Sequence, residues 1–402
     1  MPAVKDDSAT TPRKTGAIVL LMSMVMLGVF PIDVLLPSFT ALSQHFASST
    51  ADIALSVSLF AIGISISQLL IGPLSDALGR KTLLLIGMAV AIGGALGCVW
   101  APDYNWFLAF RLLQALGCGC FVLSQALIQD LFVGKQRDRL RILMVTLSGL
   151  CISLSPLAGT LLQAWMNWPG SFYVFSAIAI LVLFKALATL ENPPRNNNRH
   201  TGIVQAYRRV CGDFSFIAYW LISAIVFACH FSFIVVSPLI FMEQLHLSSY
   251  QFSLTLLLYG AAYVIGGVVA GILNKRLEPG TQIISGLGLI FFAGLVMLLL
   301  ASQFGLSTAT VLVPMIICTA GTTITRPAAT SRAMELFPEH AGTSASAGNT
   351  LIFVSGGLIS ALINLSASDL QTTLALSFLV LSSLGLLLNR LISRRARDLR
   401  LA

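Results

Sequence analysis

The chain has little charge. Of its 402 residues only 10% are Asp, Glu, Lys or Arg, against about 25% in a typical soluble domain, and so sparse an ionised surface excludes a freely soluble globular protein of this size. Acid is the scarcer sign: 16 Asp and Glu stand against 24 Lys and Arg, a formal net charge of +8. Nucleic-acid binding needs such cations gathered on one folded face, whereas here they are spread between apolar runs. No Gly-rich phosphate loop of the Walker type is present, nor a Ser/His/Asp arrangement with supporting context, nor a metal-ligand spacing. The expectation is therefore a protein that is not an enzyme, with no cofactor and no metal. The seven cysteines (98, 118, 120, 151, 211, 229 and 318) are odd in number and six lie in apolar runs. Cys118 and Cys120 are too close for a zinc knuckle, so the thiols read as small apolar fillers.

Apolar sequence fills the rest, at 56% of residues with a mean hydropathy of +0.87. The longest runs exceed the roughly 20 residues that cross a bilayer at about 1.5 Å per residue. The first follows Arg13 and Lys14, as a signal peptide would, but it is too long for one and many more follow. Six runs fall at about 16–42, 53–71, 82–99, 106–128, the stretch after the basic loop 134–141, and the stretch from Trp168 to Glu191. Six more fall at about 214–241, 252–273, 281–300, 308–325, 343–365 and 372–392. Between the groups lies the one long polar segment, with Pro193, Pro194, Arg195, Arg199, Arg208 and Arg209. The fold expected is an all-α membrane protein of twelve transmembrane helices in two pseudo-symmetric six-helix bundles. Its parts are a tail at 1–15, bundles at 16–191 and 214–392, a linker at 192–213 and a basic tail at 393–402. With both termini cytoplasmic, 21 of the 24 basic residues fall in inside segments and none in outside loops. The remaining three, Arg111, Lys185 and Arg326, lie inside spans.

Between the second and third runs sits Gly72-Pro73-Leu74-Ser75-Asp76-Ala77-Leu78-Gly79-Arg80-Lys81, which reads as a tight interfacial turn. Gly72 and Gly79 permit close approach and a sharp reversal, Asp76 suits the free N–H groups opening the next helix, and Arg80 and Lys81 hold the turn at the surface. Charge inside a bilayer costs several kcal/mol, so an ionisable residue there faces water or a partner. Asp33 is the only acid well inside a span, and a carboxyl group in apolar surroundings can exist in both protonation states. Arg111, expected at similar depth, is suited to pairing with that acid or with an anionic substrate group. Gln114 lies one turn on, with Gly117 and Gly119 giving small faces for close packing. Lys185 is close enough to a span end to snorkel, His230 could take a proton or merely pack, and Arg326 could bind substrate or face the cytoplasm. Pro156 and Gly159 interrupt the apolar pattern of the fifth span, where a bend or a tight packing seam is expected.

The ten-residue loop resembles the signature loop of the major facilitator superfamily. The whole chain resembles that family's drug:proton antiporter branch, most closely the bicyclomycin-resistance (Bcr/CflA) type. Ile32-Asp33-Val34-Leu35-Leu36-Pro37 is similar to its Ile-Asp-Met-Tyr-Leu-Pro, and Arg111 to Gly117 to its Arg-x-x-Gln-Gly-x-Gly, with Ala115 at the first Gly. Ser155 to Thr160 resembles Gly-Pro-x-x-Gly-Gly, with Ser155 and Thr160 at two glycine positions. Ser237-Pro238 with Glu243, and Phe337 to Ala347, resemble its later signatures. The resemblance implies alternating access around a central cavity and export driven by proton influx. Asp33 and Arg111 would be the coupling pair, a substrate site would include Asp33, Arg111, Gln114, His230 and Arg326, and Gly72, Asp76, Gly79 and Arg80 would form a cytoplasmic latch. The expected protein is a multi-pass exporter in the bacterial inner membrane, acting as a monomer with protons, a lipid bilayer and a small neutral or anionic amphipathic substrate as its partners. A nutrient importer of the same fold, a dedicated siderophore exporter and a transporter-like sensor are the alternatives.

Overall fold

The computed structural model describes residues 11–132, 134–190, 203–273, 276–337, 341–366 and 369–401. All their regular elements are helical: α1 (Thr11–Asp33), α2 (Phe39–His45), α3 (Thr50–Leu78), α4 (Arg80–Val99), α5 (Tyr104–Cys118), α6 (Leu123–Leu131), α7 (Gly134–Met166), α8 (Pro169–Thr189), α9 (Ile203–Cys211), α10 (Phe214–Pro238), α11 (Ser249–Leu273), α12 (Pro279–Phe304), α13 (Thr308–Glu335), α14 (Ala341–Leu365) and α15 (Leu370–Leu401). Twelve segments are long and apolar enough to cross a bilayer, from Gly16–His45 to Leu370–Arg395. An even number of crossings places both chain ends on one face, here termed proximal, and the opposite face distal. Each expected run has its helix, and the polar linker contains a short one, α9, that hydropathy alone does not show.

Within the first six spans α4 lies against α5 and α8, α3 against α5, and α1 against α7 and α8. In the second six, α12 lies against α13 and α15, and α10 against α13, α14 and α15. The two bundles repeat one packing device. Gly117 on α5 is set against the backbone of Ala91 and Gly87 on α4, and Gly321 on α13 against Gly286 on α12. At both crossings the backbones approach within the space a side chain would occupy, which is how helices associate where lipid supplies no hydrophobic drive.

The bundles meet along two antiparallel seams, α3 on α14 and α7 on α11. The first is held by hydroxyls and amides: Ser58 with Ser360 at 2.8 Å, Thr350 Oγ1 donating to the Ser65 carbonyl at 3.3 Å, and Asn364 Nδ2 to Ala51 at 2.6 Å. At the proximal end Tyr207 of α9 donates to Ser346 Oγ at 2.9 Å, and Ser346 donates to the Gln68 carbonyl at 3.0 Å. The distal half is sealed: residues 31–39 and 222–241 are buried without exception, and the Thr50 hydroxyl donates to Glu243 across the gap. Toward the proximal face Val19 and Met26 of α1 and Pro327 and Ser331 of α13 are exposed.

Three local expectations are corrected. The tight turn expected over 72–81 is confined to Gly79, because α3 runs to Leu78 and α4 starts at Arg80. Its φ of 89° is a conformation glycine tolerates without steric cost. The fifth span is not interrupted at Pro156, since α7 continues through it for 33 residues. The Pro156 carbonyl accepts from Thr160 Oγ1 at 3.2 Å and from Ser253 Oγ of the other bundle at 3.0 Å. The first and fourth spans are each broken by a 3₁₀ turn, Leu36–Ser38 and Gly119–Val122. In the first, Pro37 has no N–H to extend the α ladder.

The glycine crossings yield a prediction. Gly117→Ala should lower the melting temperature of the purified protein by several degrees, corresponding to about 1–3 kcal/mol of overpacking. Gly93→Ala, whose added carbon meets nothing within 4 Å, should leave it unchanged or raise it slightly.

Candidate functional site

The polar groups inside the spans divide into two sets, on different sides of α1. Asp33 is the last residue of that helix, 5% exposed, and its carboxyl makes no hydrogen bond or ion pair with a described residue. It is close enough to Cys151 on α7 and Tyr259 on α11 to interact with them electrostatically. Tyr259 hydrogen-bonds His230 on α10 through Nδ1, and the rings stack with centroids 5.6 Å apart at 17°. Tyr263, one turn on, lies 5.4 Å from the imidazole. Arg326 on α13, half-buried, acts on His230 electrostatically and lies 5.1 Å over the Phe227 ring. Phe227 in turn stacks on Phe231 at 5.3 Å. Tyr259 and His230 thus form a hydrogen-bonded pair, with Asp33 in the electrostatic surroundings of the phenol and Arg326 in those of the imidazole.

Arg111 belongs to the other set. It is 1% exposed, inside the first bundle, with its charge 4.1 Å over the Phe60 ring. One terminal nitrogen donates to Gln114 Oε1 at 2.8 Å, and both reach the Pro31 carbonyl at 3.5 Å. That carbonyl is among the last of α1, where a helix ends without internal partners and carries partial negative charge. Pro31, Val34 and Leu35 line the small cavity beside Arg111. Asp33 does not, so the side chains expected to pair are separated by α1 itself. Among the described residues the one ion pair within 4.0 Å is Arg332–Glu335, on the surface.

Pro156 and Gly159 lie on the seam beside Asp33. Gly159 is pressed against the Val34 carbonyl and Pro37, so α7 touches α1 at its break. Thr160, one residue on, shares a hydroxyl pair with Ser253 of α11 at 2.6 Å. Lys185 reaches the neighbourhood of Gly16 near the start of α1, at the proximal end. Of the expected latch, the side chains of Gly72 and Asp76 lie outside the described residues. Arg80 opens α4, and Gly79 makes the turn before it. A neighbour missed by sequence reasoning is the better-defined cap: Lys81 Nζ donates to the carbonyls of Leu187 at 2.9 Å and Leu190 at 2.6 Å, closing the C-terminus of α8. Tyr259 was missed as well. One tyrosine in an apolar run gives no signal until the fold sets it against His230.

Twelve spans in two bundles, with chemistry held at their centre, define a multi-pass membrane carrier rather than an enzyme. Residues 18–361 match the Major Facilitator Superfamily, and the chain belongs to that family. It is 26% identical to Multidrug resistance protein D of Escherichia coli K12 over 381 residues, covering 94% of each chain. It is also 28% identical to the uncharacterized MFS-type transporter YdgK of Bacillus subtilis 168 over 269 residues, 65% of this chain and 67% of that one. Among solved structures, a D-xylose-proton symporter superposes with a TM-score of 0.75 at 17% identity, over 94% of this chain and 96% of its own. A bacterial homologue of the lysosomal transporter Spinster, inward-facing and occupied, gives 0.73 at 14% identity, over 96% and 97%. At those identities both establish the shared fold.

The central pair is testable by stability. Tyr259→Phe should cost about 1 kcal/mol and leave His230 without its partner. In a double-mutant cycle with His230→Leu the two losses should be less than additive by a similar amount, read as melting temperatures of the purified protein.

Proposed function

We propose that the protein is a proton-coupled exporter of small neutral or anionic amphipathic compounds, of the bicyclomycin-resistance (Bcr/CflA) type. The observation that carries this reading is Asp33: a buried carboxyl at the break in α1, beside the α7–α11 seam, with no cation held against it. A carboxylate fixed to an arginine would stay ionised through the cycle, whereas one without a cation can gain and lose a proton as its surroundings change. In the proposed cycle the bundles rock about their two seams. Substrate is taken up from the proximal side while Asp33 is ionised, and the carboxyl is protonated when the distal side opens. The reset carries that proton inward. Arg111 acts from behind α1, holding the Pro31 carbonyl and so the register of the break, while Gln114 fixes the guanidinium.

Charge sets the substrate class. Arg326 and His230 lie among aromatic rings, and Asp33 is the one buried acid among the described residues. A neutral or anionic aromatic compound meets complementary groups, and a dication does not. In keeping with this reading, relatives similar over most of the chain carry the names Multidrug resistance protein D and MdtL. The proximal face is assigned to the cytoplasm of a bacterial inner membrane on the distribution of basic residues. The protein acts as a monomer, with the proton gradient as its energy source.

Efflux from preloaded proteoliposomes under an imposed pH gradient tests the proposal. Wild type should move substrate against its gradient. Asp33→Asn should abolish uphill efflux while leaving downhill exchange measurable. An Asp33→Asn protein that still pumps uphill at full rate removes Asp33 from the coupling role, and accumulation in the opposite sense would make the protein an importer. Resistance restricted to lipophilic dications would overturn the charge argument.

A further inference from the structure

From the membrane-spanning fold alone, without any step of the transport cycle, we infer that α9 and the proximal ends of α10 and α15 form a docking surface for the headgroups of anionic phospholipids. The span that contains α10 starts at Phe214 and the last span ends at Arg395, so both ends lie at the same boundary of the bilayer. They meet there. The Arg395 guanidinium lies 5.5 Å over the Phe214 ring, which is itself exposed. α9 ends at Cys211, and Gly212 and Asp213 join it to Phe214.

α9 is held by its inner face. Val210 is wholly buried, and the Tyr207 hydroxyl donates to Ser346 Oγ of α14 at 2.9 Å and lies 3.4 Å from the Leu69 carbonyl of α3. Helical spacing turns Arg208 and Arg209, between those two anchors, to the opposite side, and both are exposed. On α15 Arg390, Arg394 and Arg395 are exposed as well, the first two one turn apart on one face. Five arginines thus stand on two helices linked through Phe214.

These charges lack a counterweight. None of the five has a carboxylate within 4.0 Å, the one such ion pair among the described residues being Arg332–Glu335. Asp213 is already engaged, accepting the Phe216 N–H at 2.8 Å as the N-cap of α10. The helices against which α9 packs, α14 and α10, contain no Asp, Glu, Lys or Arg. The general excess of cations in proximal segments accounts for the sign of this charge. It does not account for arginines gathered on two adjoining helices without acids between them. Lipid phosphates supply the missing charge, since planar guanidinium groups take phosphate oxygens two at a time. Basic residues on an amphipathic helix or beside a span are attracted to anionic lipid in this way. Because α9 is already folded and docked, little order is lost on binding. The exposed Phe214 ring among the charges suits the boundary of headgroup and acyl chain and favours a lipid over a free anion.

Titration of the purified protein in neutral detergent with phosphatidylglycerol, and separately with phosphatidylcholine, tests this surface through the melting temperature. Phosphatidylglycerol should raise it over phosphatidylcholine by about 2 °C or more and in a saturable way. The difference should shrink as salt is raised from about 0.1 M to about 0.5 M. Arg209→Gln combined with Arg395→Gln should move the midpoint of the phosphatidylglycerol titration about tenfold higher. Arg276→Gln combined with Arg332→Gln removes the same number of exposed proximal charges elsewhere and should leave that midpoint within about twofold of wild type. Equal effects of the two lipids, an equal loss in both double variants, or the same stabilisation by inorganic phosphate alone would overturn the assignment.

Discussion

Polar groups in a bilayer have nowhere to go but each other. Hydrocarbon offers no hydrogen bonds, so every amide along a span must be closed by its own helix, and each side-chain hydroxyl, amide or charge must find a neighbour or a water-filled space. This constraint explains why the described elements are helical and why so many buried serines and threonines bond back one turn, as Thr319 does to Met315 at 2.8 Å and Thr322 to Cys318 at 3.0 Å. Hydroxyls that turn outward build the seams instead. Ser58 with Ser360 and Thr160 with Ser253 join the bundles by single, exchangeable hydrogen bonds. The seams also repeat the glycine packing found at Gly117 and Gly321, with Gly260 of α11 set against Ser153 of α7 and Gly357 of α14 against the Ser58 carbonyl and Ile62 of α3. Close glycine crossings therefore occur both within each bundle and between them, and the seams differ in adding side-chain hydroxyl pairs from one bundle to the other.

The spans were legible because they answer to one quantity, apolar length, which sequence reports directly. Their even number was legible because the basic residues alternate with it. What composition could not report is where a helix yields. Pro156 looked like a break, yet α7 runs through it, and its own carbonyl accepts from Thr160 and Ser253. The decapeptide after residue 71 looked like a loop, yet only Gly79 leaves the helix. Pro37 looked like part of a motif and ends α1 in a 3₁₀ turn. A proline frees the carbonyl four residues before it, and whether the helix yields there depends on packing that no single apolar run reports.

The same limit applies to the candidate site. Each ionisable residue expected inside the spans is inside them, since their rarity made them visible. Their grouping was not visible. Equal depth suggested that Asp33 and Arg111 would meet, but depth fixes one coordinate and the direction of a side chain about its helix fixes another. Asp33 turns toward the seam and Tyr259, while Arg111 turns to the other side of α1 and holds its terminal carbonyl. Lys81 shows the converse. Read as a generic surface cation, it closes the end of α8 through contacts with residues more than 100 positions away.

Separating the two charges has a mechanical meaning. Paired directly, acid and guanidinium would neutralise each other and the helix end would be free to drift. Held apart, the guanidinium holds the backbone at Pro31, two residues before Asp33, and the carboxyl is left beside the α7–α11 seam. Gly159 then ties α7 to the Val34 carbonyl just beyond it. The break in α1 is thus held on one side by the Arg111 guanidinium and on the other by α7, a helix of the seam between the bundles. A change in the ionisation of Asp33 would alter the polarity of that seam without breaking the Arg111 anchor, because the two side chains lie on different helices and are joined by no hydrogen bond.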